Sequence, residues 1–279
     1  MKKWAKRLGF LFLVLFALVG LTKMCSGPAG PFGSGVGVIE LNGTLWVSDD
    51  WVKQIESFRK NSNIRAVVVR INSPGGTVGA SQEIFSALQN LSQKKPVVAS
   101  MGTIAASGGL YAAMGAKKVF ANPGTLTGSI GVKMQHIDIG SLLQFLKIGM
   151  ETIKSGRFKD MASFTKPLGA EEAALLESLM QEIHGQFKEA VSKSRNIPIE
   201  KLDTFADGRI FTGVKAKELN LVDELGDFLQ AVKTAAQMGG IKGEPELVYG
   251  EKEMAWWVKS LFGEAKAAVS GPLAFYLYP

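Results

Sequence analysis

Apolar and polar positions along this chain repeat with two different periods, and the switches between them mark out its elements. Residues 36–41 (VGVIEL) alternate and predict a first strand. Residues 49–59 set Trp51, Ile55 and Phe58 at helical spacing. Residues 66–71 (AVVVRI) are mostly apolar and β-branched, as expected of a strand buried on both faces of a parallel sheet. They run into NSPGG, after which residues 80–92 predict a helix with Ile84, Leu88 and Leu91 on one face. Residues 96–100 read as the next strand, with a helix beginning near Ser107, and residues 118–121 and 130–134 as two more short strands. Strand and helix in alternation imply right-handed crossovers and a central parallel sheet, an α/β fold.

The second half is dominated by helical spacing. Residues 170–194 carry Leu175, Leu179, Ile183, Phe187 and Val191 four apart, which predicts a long helix with one apolar face. Pro198 opens a new segment, residues 212–219 and 225–238 read as helices, and residues 247–249 as a late strand. No internal repeat is visible, which argues against a tandem arrangement.

The ends differ from the middle. Residues 8–22 are uncharged, follow Lys2, Lys3, Lys6 and Arg7, and have Trp4 at an interfacial position. Fifteen residues of helix span about 22 Å, short of a hydrocarbon core of about 30 Å, which favours a cleaved signal peptide. Lys23 can snorkel, and Thr22–Cys25 lacks the small-x-small pattern of a cleavage site, which favours an uncleaved anchor. Cys25 invites a lipoprotein reading, but Met24 fits poorly before a lipidated cysteine. On either reading the basic flank stays cytoplasmic and the rest is exported. We therefore take residues 1–25 as a membrane anchor or signal segment, 26–35 as a Gly/Pro linker, 36–250 as the working domain and 251–279 as an apolar tail. That tail, with Trp256, Trp257, Leu261 and Phe262, is expected to pack on the domain or a neighbouring subunit.

Charge adds little about partners. The formal net charge is +7, but Lys2, Lys3, Lys6, Arg7 and Lys23 supply most of it, so nucleic acid is not an expected partner. The single cysteine excludes an internal disulfide. One cysteine and two distant histidines do not make a usual zinc site, no phosphate-loop motif is present, and no cofactor is expected.

The chemistry centres on Ser107, set among small residues in MGTIAASGG just after a strand. A serine so placed can occupy a tight strand-to-helix turn, with its hydroxyl exposed as an acyl-transfer nucleophile. Small residues also serve tight packing, and on this segment alone the two readings are balanced. Ser73, Ser100 and Ser129 are rivals, Ser73 suiting a loop role before Pro74. The nucleophile needs a base. His136 and Asp138 lie two apart and on one face of an extended stretch, which puts them side by side rather than in a relay. His184 lies in the long helix as a surface or packing residue. A lysine base is the other option, and it must be stripped of solvent. An ordinary lysine, with a pKa of about 10.4, is protonated at neutral pH, and a fall of roughly three units costs about 4 kcal/mol.

Four segments in order, NSPGG, AASGG, PGTLTGSIGV and SGRFKD, together resemble the signal peptide peptidase A family of membrane-anchored serine proteases, over roughly residues 36–240. The length resembles the family's short, single-domain form. The resemblance implies a Clp/crotonase-like spiral of βα units with a helical C-terminal part. It implies a Ser–Lys dyad of Ser107 and Lys159, with Lys154 and Lys166 as competing lysines. It implies an oxyanion hole from the backbone amides of Gly76 and Gly108. Ser129 of TGSIGV is a candidate for orienting the lysine, although this segment reads equally well as a plain turn. The implied substrates are cleaved signal peptides in the membrane, with a pocket for small or leucine-like side chains. The excursion between Ser107 and Lys159 could place the lysine beside its own serine or a neighbour's; the resemblance implies a homo-oligomeric ring in which the serine of one subunit meets the lysine of the next. A broader quality-control protease, an inactive scaffold and an acyl-CoA enzyme of the crotonase type are the alternatives, the last disfavoured by the export signal.

Overall fold

The computed structural model describes residues 35–250. Chain order runs β1 (Gly35–Asn42), α1 (Asp49–Lys60), β2 (Ile64–Ser73), α2 (Val78–Ser92), β3 (Val97–Ala106), α3 (Gly108–Ala113), β4 (Lys118–Ala121) and β5 (Leu126–Gly128). It continues with α4 (Gly140–Phe145), α5 (Ala170–Arg195), α6 (Ile199–Leu202), β6 (Ile210–Thr212), α7 (Gly213–Glu218), β7 (Glu224–Leu225), α8 (Phe228–Met238) and β8 (Glu246–Tyr249). One sheet holds all eight strands, with the path β6-β5-β3-β2-β1-β8 and with β4 and β7 added beside β3. Every pairing is parallel except β5 with β6.

The β-branched runs occupy the centre. Val67, Val68 and Val69 of β2 and Val97 and Val98 of β3 are wholly buried, as a parallel strand covered on both faces must be. Side chains alternate between two apolar layers. Val67, Val69 and Ile71 face the larger layer with Ile55, Ile84 and Leu88 of α1 and α2. Ala66, Val68 and Val98 face a smaller layer closed by Ala231, Val232 and Ala235 of α8. The helices start and stop on local signals. Asp49 and Asp50 sit in the first turn of α1 and Arg59 and Lys60 in its last, each favourable with the helix dipole. Asp227 and Gln230 form a capping box on α8. Asn196 closes α5 in the left-handed region, at φ 52°.

β3 carries the feature that matters most for the site. Its first half pairs outward with β4 and its last three residues pair with β5. Between these, its register against β2 slips: Ile71 faces Met101, but Ser73 faces Ala105. β3 therefore spends two more residues than β2 across this step, a bulge that bends the strand. The Asn72 carboxamide secures the step by accepting the Thr103 N–H at 2.8 Å. Asn72→Ala removes that acceptor at an exposed site and is expected to lower stability by about 1 kcal/mol. A urea unfolding midpoint unchanged from the parent would show that the bulge does not depend on it.

Several expectations change. Residues 130–134 form no strand: Ser129 turns into the left-handed region, at φ 52°, directly after β5. Strand β3 runs six residues further than residues 96–100 suggested. Leu175 and Leu179 are exposed, and only Phe187, Ala190 and Val191 of α5 reach the core. The helical C-terminal part also returns three short strands to the sheet, β6, β7 and β8. The segment 8–22 and the tail beyond residue 250 lie outside the described residues, among which no helix is long and apolar enough to cross a membrane.

Candidate active site

Ser107 occupies the single residue between β3 and α3, with φ 51° and ψ −120°. A non-glycine residue in that region is strained by about 1–3 kcal/mol and persists only where its surroundings hold it. Here its N–H is fixed to the Gly128 carbonyl of β5 at 2.9 Å, and its carbonyl accepts from Tyr111 N–H at 2.9 Å. The side chain is half-buried and opens into a cleft of about 690 Å³. Its hydroxyl has no hydrogen-bond partner among the described residues.

The NSPGG turn forms the facing wall. Gly75 holds φ +106°, a conformation that L side chains rarely adopt. Its N–H is taken by Ser73 Oγ at 3.1 Å. A Cβ built on Gly75 would lie 2.7 Å from Gly108 N and 2.9 Å from Ser107 Cβ, and one built on Gly108 would lie 3.2 Å from Gly76 N. The amide nitrogens of Gly76 and Gly108 thus lie close together beside the serine, and neither has an acceptor among the described residues. Two vacant N–H donors next to a nucleophile are what a developing oxyanion requires.

The cleft is also lined by Tyr111, Val132, Ile183 and Phe187, which make an apolar wall, and by Ser129. Burial pushes the Tyr111 phenol above its usual range. The charged residues on the lining are Lys133 and Asp207. Asp207 accepts from Arg209 Nε at 2.7 Å and Nη2 at 2.5 Å, and these bonds, with the guanidinium charge, hold its carboxyl down at about 2.

The structure thus brings Ser107, Gly76, Gly108 and Ser129 together and leaves Lys159 apart. Lys159 is exposed on a turn, its side chain makes no hydrogen bond or ion pair among the described residues, and it does not line the cleft. The competing lysines are elsewhere too. Lys154 bonds the Arg157 carbonyl at 3.3 Å. Lys166 is paired with Glu172 at 3.0 Å and Asp160 at 3.4 Å, and the Glu172 hydrogen bond leads in holding its ammonium above the ordinary lysine value. The rival serines are committed: buried Ser100 accepts from Arg70 at 2.9 Å, and Ser73 serves Gly75. His136 Nε2 meets the Lys166 carbonyl at 3.1 Å, and Asp138 caps Gly140 N–H at 2.8 Å. Neither reaches the cleft, and His184 is not on its lining. Lys133 was missed by sequence reasoning. Its only signal is its place four residues after Ser129, in a segment whose pattern predicts a strand. No group of three His, Cys, Asp or Glu side chains among the described residues is placed to hold a metal.

Comparisons with known proteins bear on the family and the fold. The model of peptidase family S49 matches residues 89–242, and that of the Clp protease family matches residues 42–127. The latter stretch contains the NSPGG turn, β3 and Ser107, and supports the Clp-like α/β fold. A putative protease of Synechocystis sp. is 49% identical over 176 residues, covering 63% of this chain and 64% of that protein. The chloroplastic serine protease SPPA of Arabidopsis thaliana is 34% identical over 206 residues, covering 74% of this chain and 30% of that protein. A putative signal peptide peptidase SppA of Enterococcus faecium is 32% identical over 188 residues, covering 66% and 55%. The chain therefore spans less than two thirds of the length of each of these relatives.

Proposed function

Since its match to the peptidase S49 model covers more than half its length, the chain belongs to that family, and on this premise we propose that it is a serine endopeptidase with Ser107 as nucleophile and Lys159 as general base. The observation that carries the reading is the strained Ser107 turn, with a free hydroxyl beside the two vacant amides of Gly76 and Gly108. Ser107 attacks the scissile carbonyl and Lys159 takes its proton. The carbonyl oxygen, now negative, is held by the two amides. The tetrahedral intermediate collapses with release of the amine, and water then repeats the sequence on the acyl-serine. Ser129, which lines the same cleft, would orient the incoming lysine in its neutral amine form.

The base is supplied by a second copy of the chain. Among the described residues Lys159 is exposed and unpartnered, and no side chain is hydrogen-bonded to the Ser107 hydroxyl. The segment that carries Lys159 also presents Ile137, Phe145 and Ile153 to solvent at 70%, 82% and 95% exposure. Such an apolar surface is suited to a neighbouring subunit. The substrates we propose are signal peptides left after preprotein processing. The apolar wall of Tyr111, Val132, Ile183 and Phe187 suits them, and a relative carries that activity in its name. Residues 8–22 would anchor the enzyme by a single pass, with its N-terminus cytoplasmic and its catalytic domain on the exported side.

A fluorophosphonate probe is expected to modify the full-length protein at Ser107, as read by mass spectrometry of the peptide containing it, and a peptide aldehyde, which adds reversibly, to block that labelling. Labelling requires an activated serine, and an inactive scaffold of the same fold would give none. His136→Ala is expected to retain labelling and hydrolysis, because its imidazole lies off the cleft. A dead His136 variant with an active Lys159→Ala would return the base to histidine.

A further inference from the structure

We propose that Lys133 recognises a carboxylate on the substrate, so that the cleft prefers peptides carrying a negative charge close to the scissile bond. The inference rests on the peptidase reading above.

Its basis is the balance of charge on the cleft wall. Lys133 and Asp207 are the charged side chains that line the space in front of Ser107. The Asp207 carboxylate is already spent: Arg209 grips both of its oxygens through a fork, and the Arg209 N–H adds a third bond at 3.2 Å. The Lys133 ammonium has no ion pair and no hydrogen bond among the described residues. A cleft whose other lining side chains are uncharged or neutralised is thus left with one unpaired positive charge.

The backbone that carries this charge is held in place. Ser129 N–H donates to the Arg209 carbonyl at 2.7 Å, and Gly208 N–H donates to the Ile130 carbonyl at 3.1 Å. Gly131 packs close to Gly208, where a Cβ on it would lie 3.3 Å from the Gly208 Cα. The 129–133 strip is therefore stitched to the 207–209 turn, and Lys133 is rooted beside the cleft while its four-carbon stem remains free. A flexible ammonium with three donors suits a carboxylate presented at variable depth. Apolar neighbours strengthen the attraction relative to water, while its exposure keeps the gain modest.

A carboxylate can come from an acidic side chain or from a peptide C-terminus, and the test separates them. Two pairs of fluorescent peptides are used, one ending in a free acid or an amide, the other carrying Glu or Gln near the expected cleavage point. Binding to full-length Ser107→Ala is read by anisotropy. The acidic member of one pair is expected to bind about fivefold more tightly at low salt, the size of a partly exposed charge pair. The pair that shows it names the source. The difference should shrink as salt is raised, disappear in Ser107→Ala/Lys133→Met and persist in Ser107→Ala/Lys133→Arg. With Ser107 intact, Lys133→Met should raise KM for the acidic peptide about fivefold without a matching fall in kcat. Equal binding within both pairs, or a preference that survives Lys133→Met, would overturn the proposal. So would a folded Lys133→Met that hydrolyses neither member, since Lys133 would then be the base. A parent chain that binds the acidic peptide selectively but cleaves nothing would uphold the recognition and remove the peptidase reading.

Discussion

Ser107→Ala is expected to lower peptide hydrolysis about a thousandfold or more, and Lys159→Ala by about 10²–10⁴-fold. Neither should disturb the fold. Ser107 keeps its two backbone bonds as alanine, and Lys159 loses no partner that the structure gives it. Their melting temperatures should lie within about 2 °C of the parent, as for surface changes generally. The decisive measurement is the mixture. When the two dead proteins are co-assembled, an interface that pairs an intact serine from one copy with an intact lysine from another should recover part of the parent rate. Mixed assemblies verified by mass that stay inactive would place both residues in one chain.

Gly76→Ala should be the most damaging single-methyl change near the site. A Cβ there would lie 2.1 Å from the Leu45 carbonyl oxygen and 2.5 Å from its carbon, both backbone atoms. No side chain can rotate away, so the NSPGG turn must move off the Leu45 strip and carry the Gly76 amide with it. A cost of about 3 kcal/mol is expected, or roughly 10 °C in melting temperature for a domain of this size. Hydrolysis should fall further than the folded fraction does. Gly79→Ala is the control. Three residues along in α2, its Cβ would meet nothing within 4 Å, so stability should hold or rise slightly. Equal melting of the two variants would refute the close approach at Gly76.

The sequence pattern located the elements well where side chains decide them and poorly where backbone pairing does. Residues 66–71 and 80–92 announce themselves through Val68, Val69, Ile84 and Leu88, and each lies buried where expected. The far half of β3 was invisible because its β-branched pair, Thr103 and Ile104, sits among the small residues Gly102, Ala105 and Ala106. Its course follows from the step at Asn72 and from β5, which is only three residues long. Residues 130–134 look strand-like, yet the left-handed Ser129 ends the ladder before them. The fourfold spacing of Leu175 and Leu179 is a true apolar face, but no core element among the described residues covers it. The site divided in the same way. Ser107 stood out among small residues after a strand, and Gly76 and Gly108 came from the family resemblance alone; with Ser129 they line one cleft. Lys133 was one lysine among many, and only the fold reveals that it stands alone against a neutralised Asp207.

The mid-strand change of partner in β3 makes the serine's direction a matter of odd and even numbers. Successive side chains on a strand point to opposite faces, so the two residues by which β3 outruns β2 leave that alternation intact. One residue more or fewer between Met101 and Ala105 would invert Ala105 and Ala106 and aim the turn at Ser107 from the wrong side of the sheet. Insertions and deletions in this stretch are thus admissible only in twos. A segment with little bulk and no charge is thus bound to its length by parity alone.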